Sequence, residues 1–361
     1  MFMTTDRSTR RSFLQGKSIA RELSGHVHRI DEPVAIAAKQ SFVVSVRRRA
    51  MACEFEVQLA AARDDDSMHH VFEALDLVEA LESQLTIYRD DSEVSRINQI
   101  ANAERVVVEP RLFGLIDFAQ RIYDDTEGAL DITSGPLSEV WGFSRREGRV
   151  PSDEQIEEAR ERVGMQHVDL DATTHTVAFR RPRMSINFNS VGKGYALDRM
   201  AELLAAHDID DILLQGGKSS VLARGIQPGS DASGWRVGVR HPLRNSERLA
   251  EIVLHNQALS TSGAGTQFFI RRGKRYGHIL DPRSGRPAEG LYSTTVRAPS
   301  ATEAEALSTA FYVMGPQKAA EYCAAHPEIA ALLIVPSNRE GDVRLIALGP
   351  DDNQWLRLAD H

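Results

Sequence analysis

Between Ile186 and Asp198 the chain reads INFNSVGKGYALD, and its pattern changes period there. Apolar and polar residues alternate up to a glycine-flanked lysine, Gly192-Lys193-Gly194. An amphipathic run from Tyr195 to His207 follows. This pattern predicts a strand, a tight glycine turn and a helix start. Such a junction aims backbone N–H groups and one ammonium at a place where an anion could sit. The spacing is not that of a Walker A loop, and Gly-Lys-Gly alone is weak evidence for phosphate binding.

The rest of the chain does not repeat strand and helix in strict alternation. Phe42–Ala60 alternates and is rich in Val and Phe, which predicts a hairpin or two strands. Helical spacing follows at Met68–Leu85, after an Asp-rich turn, and at Arg111–Thr126. Thr86–Asn98 reads as a turn with a short helix. A helix over Ser152–Val163 carries its cap at Ser152. Strands are expected at 176–179, 184–188, 211–214, 235–239, 249–255, 258–261, 267–271, 292–297 and 329–335. Helices are expected at 302–313 and 316–326. The mixture of helices with antiparallel-style hairpins argues for an α+β fold rather than a doubly wound sheet.

Composition narrows the function classes. The 361 residues carry a formal net charge of −8, which argues against a nucleic-acid partner. Arg47-Arg48-Arg49 is a short basic run, read as a solvated strand flank. Cys53 and Cys323 are the two cysteines; they form neither a metal spacing nor a disulfide framework. No apolar run is long enough to span a bilayer. STRRSFLQGKS (8–18) is similar to a twin-arginine export signal, but the polar segment after it lacks the apolar region and cleavage site that export requires. Residues 1–40 are therefore expected to be a flexible extension, with 41–361 as one domain. A cytoplasmic location is expected, with export as the alternative.

Further glycine turns and short motifs follow at wide separation: ILLQGGKSSVLARG (212–225), LSTSG (259–263), HILDPRSGRP (278–287) and AEALSTAFYVMG (304–315). Upstream lie MACEFEVQL (51–59), LESQLTIYRDDSEVSRIN (81–98) and GALDITSGPLSEVWGF (128–143). In this order the segments resemble the ApbE family of flavin transferases, from about Ala50 to about Val335. The resemblance implies a single α+β domain, rich in antiparallel sheet with flanking helices, and an FAD cleft between sub-lobes. It implies Mg²⁺-dependent transfer of FMN from FAD to a Thr or Ser hydroxyl of a target protein, with release of AMP. The acceptor would belong to a redox or electron-transfer system. An FAD pyrophosphatase using the same residues, and an FAD binder that has lost catalysis, are the alternatives.

The resemblance also implies site residues. Glu305 and Thr309, four apart on one helix face, match a family pair of Mg²⁺ ligands in which the first is Asp. The Gly192 carbonyl would complete the metal site, and hard oxygen donors suit that ion. Lys193 matches a lysine near the flavin phosphates. Asp198 either orients Lys193 or simply occupies the helix's first turn. His278 corresponds to an active-site histidine that positions or deprotonates the attacking hydroxyl. Asp281 is either a turn former before Pro282 or part of the chemistry. Met51, Tyr88, Asp131, Thr133, Gly216 and Gly217 match flavin- or nucleotide-contacting positions. Trp141 and Phe143 read as core. Glu305 itself, Lys218, Ser190 and Ala264-Gly265 depart from the family pattern.

Overall fold

The computed structural model describes residues 43–60, 65–230, 232–244, 246–265, 267–339, 341–349 and 355–357. The expected extension over residues 1–40, with its twin-arginine-like segment, lies outside them. In chain order the first elements are β1 (Val43–Ala50), β2 (Cys53–Ala60), α1 (Asp65–Leu85), α2 (Glu93–Ile100), β3 (Val106–Val107), α3 (Pro110–Asp125), α4 (Gly135–Val140), α5 (Asp153–Arg160), β4 (Val168–Asp171), β5 (Thr176–Phe179) and α6 (Gly192–Ala205). Then come β6 (Ile212–Gly216), β7 (Ser220–Arg224), β8 (Trp235–Arg240), β9 (Arg248–Leu254), β10 (Gln257–Ser262), β11 (Phe268–Arg271), β12 (Lys274–Gly277), β13 (Leu280–Asp281), β14 (Arg286–Pro287), β15 (Ser293–Ala298), α7 (Ala301–Ala325), β16 (Ala330–Pro336), β17 (Val343–Leu348) and β18 (Leu356–Arg357).

The spine is an eight-stranded sheet in the order β1-β2-β6-β7-β10-β15-β16-β17. Every neighbouring pair in it is antiparallel. Both faces are covered, which explains the continuous apolar runs in its central strands. Successive side chains point to opposite faces. Ile212 and Leu214 therefore join the helix-side core while Leu213 joins a second core. Ala331, Leu333 and Val335 likewise face the helices, and Leu332 and Ile334 face away. Helices α1, α6 and α7 supply the first core through residues such as Val78, Leu197 and Phe311. The small sheet β18-β9-β8 supplies the second through Trp235, Ile252 and Leu254. The architecture is α+β, as expected.

Three local expectations change. The segment 184–188 is not a strand of any sheet. Its Ile186 is instead bracketed by one side chain: Asn98 Nδ2 donates to the Ile186 carbonyl (3.0 Å), and the Ile186 N–H donates to Asn98 Oδ1 (2.8 Å). The Asn amide replaces a neighbouring strand, which satisfies buried backbone groups without a ladder. Nor is Gly192-Lys193-Gly194 a turn ahead of the helix; it is the first turn of α6, with Val191 as N-cap. The two helices read over 302–313 and 316–326 form one element, α7, interrupted at Gly315 (φ 80°, ψ 175°) ahead of Pro316. A proline cannot donate into the preceding turn, and glycine tolerates the positive φ that the break needs.

Candidate active site at the start of helix α6

The close approach of α6 to α7 sets the geometry. A Cβ added at Gly194 would lie 2.2 Å from the Ala301 carbonyl oxygen. Only glycine lets the two helices cross so near. Asp198, one turn further along α6, secures the contact. Its carboxylate accepts from the Ala301 N–H (2.8 Å), the Thr302 N–H (2.8 Å) and the Thr302 hydroxyl. These are N–H groups of the first turn of α7, which have no partner within their own helix. Asp198 is thus bonded to the first turn of α7 rather than to Lys193, and it ties α7 to α6.

That crossing delivers Glu305, on the second turn of α7, to the start of α6. The carboxylate is buried, with 5% of its side chain exposed. One oxygen accepts from the Lys193 ammonium, and the other accepts from the Gly194 N–H at 2.6 Å. A negative charge therefore already sits at the positive end of α6, where the helix dipole favours it. Thr309 lies on the same face of α7. Its hydroxyl lies 3.0 Å from Ser262 Oγ, at the end of β10, and Ser262 Oγ also meets Ser308 Oγ at 2.8 Å.

Strand ends close the other sides. At Gly216 a Cβ would meet Lys193 Cβ at 3.5 Å, and at Gly217 it would meet Cys53 Cβ at 3.3 Å. Gly217 has φ 64° and donates its N–H to the Glu54 carbonyl at 2.8 Å. Cys53 is half-buried. Burial pushes its thiol pKa up, the Lys193 charge opposes this and Glu305 adds to it. Across the site, His278 Nδ1 lies 3.0 Å from the Gln267 carbonyl oxygen. That oxygen can only accept, so Nδ1 carries a proton and the neutral ring leaves Nε2 as its acceptor. Burial pushes the His278 pKa below the ordinary 6.5; the Gln267 carbonyl opposes the shift and the Lys193 charge reinforces it. The neutral ring is therefore the favoured form near pH 7.

Residues 51–333 match the ApbE family. The chain belongs to the ApbE family. The FAD:protein FMN transferase of Escherichia coli K12 is 31% identical over 285 residues, covering 77% of this chain and 79% of that protein. That of Treponema pallidum is 31% identical over 280 residues, 74% of this chain and 77% of the relative. Among solved structures, the Thermotoga maritima ApbE protein superposes with a TM-score of 0.75 at 28% identity, covering 84% of this chain and 96% of that one. The Pseudomonas stutzeri flavinyl transferase ApbE, apo form, gives 0.74 at 30% identity, with 86% and 96% covered.

The remaining positions expected from the ApbE resemblance fall around this cluster or apart from it. Met51 and Ala52 form the two-residue turn of the β1–β2 hairpin, both at positive φ (47° and 58°). That conformation is unusual for non-glycine residues, and the turn leaves Met51 partly buried against the main core. Tyr88 is 71% exposed. Asp131 and Thr133 are buried and bonded to each other: Asp131 Oδ1 accepts from the Thr133 N–H (2.7 Å) and hydroxyl (2.6 Å). Thr133 Oγ1 in turn accepts from the Gly164 N–H. Burial pushes the Asp131 pKa up to about 6 against these hydrogen bonds. Asp131 also lines a cavity of about 220 Å³ whose wall includes Arg160, His167, Arg181 and Arg283. A space of that size accepts a fragment of a nucleotide rather than a whole dinucleotide. The Asp281 carboxylate is taken by Arg283, at 2.8 and 3.1 Å, and by the Arg283 N–H. It shapes the turn that follows His278 and is not bonded to the imidazole. Trp141 and Phe143 are core, as expected; the Trp141 indole N–H donates to the Gly285 carbonyl and so anchors that same turn.

Three members of the cluster were not singled out from the sequence. Ser262 stands inside the quoted LSTSG motif, so its signal was present. Cys53 likewise stands inside the quoted MACEFEVQL motif, whereas the Gln267 carbonyl had no sequence signal, because it is a backbone atom.

Proposed function

We propose that this chain is an FAD:protein FMN transferase working at the start of α6. The observation that carries the reading is the meeting of Lys193, Glu305 and the Gly194 N–H, with Thr309 beside them and the His278 ring across the site. A Thr or Ser hydroxyl of an acceptor protein attacks the FMN phosphorus of FAD. The new O–P bond forms as the bond to the bridging oxygen breaks, and AMP leaves with that oxygen. His278 Nε2 takes the hydroxyl proton. Its free lone pair and lowered pKa suit that role near neutral pH. Lys193 and the α6 N–H groups hold the pyrophosphate by charge and hydrogen bonds, the stabilisation on which phosphoryl transfer mainly depends.

The donor chemistry around Glu305 suits Mg²⁺. The Glu305 carboxylate and Thr309 hydroxyl share one face of α7, Ser262 adds a further hydroxyl, and oxygen donors of this kind hold that ion. The Gly192 carbonyl is the third expected ligand. In a regular helix it is already the partner of the Ala196 N–H, so only its second lone pair is available. Bound Mg²⁺ would supply further neutralisation of the pyrophosphate charge. Glu305 would exchange Lys193 for the metal, freeing the ammonium for phosphate. Met51, Tyr88, Gly216 and Gly217 form the flavin side of this reading. Asp131 and Thr133 stand on the nucleotide side, next to the arginine-walled cavity. The acceptor belongs to a redox or electron-transfer system, and the reaction takes place in the cytoplasm. Among the described residues no helix is long and apolar enough to cross a membrane.

The test is AMP release from FAD, with and without Mg²⁺, together with the intact mass of a Thr-bearing acceptor. AMP with an FMN-mass adduct supports the transferase. AMP with free FMN means a pyrophosphatase, and bound FAD without AMP means a binder. His278→Ala is expected to bind FAD and lose transfer; normal turnover in that variant removes His278 from the mechanism.

A further inference from the structure

Far from Lys193, at the other end of α6, a second group of donors converges. His70 and Glu73 are three apart on α1 and share a face. His207 follows the C-cap of α6, and α1 packs on α6. The His70 and His207 rings stack with centroids 3.5 Å apart and planes 12° from parallel. Glu73 Oε2 lies 2.6 Å from His70 Nδ1. One ligand atom from each of the three residues falls within 4.8 Å of the other two. His69 Nε2, 3.4 Å from Glu73 Oε1, and Asp66 Oδ2, 4.0 Å from His70 Nε2, flank the group.

We propose that His70, Glu73 and His207 form a zinc site that clamps α1 to α6. Two imidazoles and one carboxylate are a donor set that Zn²⁺ takes in four-coordinate sites with one open position, and imidazole favours such a borderline metal over Mg²⁺. At Zn–N distances of about 2.0–2.1 Å, tetrahedral geometry sets neighbouring ligand nitrogens about 3.3 Å apart. The stacked rings have centroids 3.5 Å apart, and a ligand nitrogen of each lies within 4.8 Å of the other. Parallel rings direct their lone pairs along parallel lines, so loading requires one ring to tilt. His207 is exposed, so solvent rather than protein borders the space into which its ring would tilt. Water fills the fourth position. The clamp joins residues 137 positions apart in sequence (207 minus 70). It fixes the far end of the helix whose first turn carries Lys193, about 20 Å away at 1.5 Å per residue.

The experiment uses the full chain without an added histidine tag, titrated with Zn²⁺ against a chromogenic chelator, with Co²⁺ as a spectroscopic stand-in. One equivalent of Zn²⁺ is expected, with the visible bands of four-coordinate cobalt and a rise in thermal midpoint. Glu73→Gln and His207→Ala should each weaken binding by at least about tenfold, the loss that even outer-shell partners of metal ligands produce. Both should abolish the thermal shift. His255→Ala, at an exposed histidine in the bend between β9 and β10, should leave affinity unchanged. Absence of stoichiometric binding overturns the assignment, as does equal affinity in the wild type, Glu73→Gln and His207→Ala.

Discussion

Gly194 and Gly192 stand two residues apart in one helical turn, and the structure assigns them opposite sensitivities to alanine. At Gly194 the new Cβ would lie 2.2 Å from the Ala301 oxygen, 2.5 Å from its carbonyl carbon and 2.8 Å from the Thr302 nitrogen. All three are backbone atoms, which cannot swing aside as a side chain would. Restoring ordinary contact at 3.4 Å or more requires α6 and α7 to part by about 1 Å. Overpacking of that kind costs about 1–3 kcal/mol. Alanine returns about 1 kcal/mol of helix propensity, leaving a net loss of up to about 2 kcal/mol. The larger effect falls on the site. Lys193 rides on α6, Glu305 and Thr309 ride on α7, and a 1 Å misplacement of catalytic groups costs about 10²-fold in rate. At Gly192 the Cβ would meet only Phe188 Cβ, at 3.6 Å, and alanine keeps the backbone carbonyl expected to serve the metal.

Urea unfolding and AMP release from FAD therefore separate the two variants. Gly192→Ala should match or slightly exceed wild-type stability and retain activity. Gly194→Ala should lose up to about 2 kcal/mol and about 10²-fold in kcat/KM. A Gly194→Ala protein as stable and active as the wild type would refute the claim that the helix crossing sets the site.

Further outcomes follow from single groups. The acidic limb of kcat/KM should lie below pH 6.5, because burial and Lys193 depress the His278 pKa; it should vanish in His278→Ala, together with about 10²–10⁴-fold of rate. Between about pH 4 and pH 6 the folded chain keeps a proton on Asp131 that the unfolded chain has released. Stability should thus fall by about 3 kcal/mol as pH rises through that window and level off above it, as a pKa raised from 3.8 to about 6 requires; denaturant titrations of Asp131→Asn should lack this component. Asn98→Leu strands both backbone groups of Ile186, and equilibrium unfolding should register about 1–3 kcal/mol for each.

Period and punctuation made most of the fold legible. The β1–β2 hairpin, the capping box at Ser152 and the helices over α1, α3 and α6 are local patterns, and each formed close to where its residues predicted. The failure at 184–188 has a physical reason: alternation reports which faces are buried, and an extended segment held by one Asn side chain has the same alternation as a strand in a ladder. The site was legible as a set of motifs but not as a set of contacts. Nothing local relates Glu305 to Gly194, which is 111 residues away. Nor does the sequence distinguish an Asp198 that orients Lys193 from one that holds α7. Lys193 and Asp198 are close in sequence, but five residues along one helix turns them to different faces. The α6–α7 crossing, a tertiary fact, directs the carboxylate elsewhere.

The departure at residue 305 gains a physical meaning from these contacts. The family pattern has Asp there, and one additional methylene lets the Glu carboxylate reach both the Lys193 ammonium and the Gly194 N–H. Those groups are the ones proposed to bind the pyrophosphate at the start of α6. On the proposed function, Glu305 in the free protein stands where a phosphate would make its hydrogen bonds, and FAD would have to displace it. Shortening the side chain by one C–C bond, about 1.5 Å, would stretch the 2.6 Å contact with the Gly194 N–H beyond hydrogen-bonding range. Glu305→Asp should then lose one charge-assisted hydrogen bond, about 1.5–3 kcal/mol of stability. It should bind FAD more tightly, because the N–H is free before the ligand arrives. Calorimetric titration with FAD and urea unfolding of the same variant measure the two effects, and they must move in opposite directions. Weaker FAD binding alongside the lost stability would mean that Glu305 supports the phosphate site rather than competing for it, and the reading of this residue as an internal stand-in for phosphate would fail.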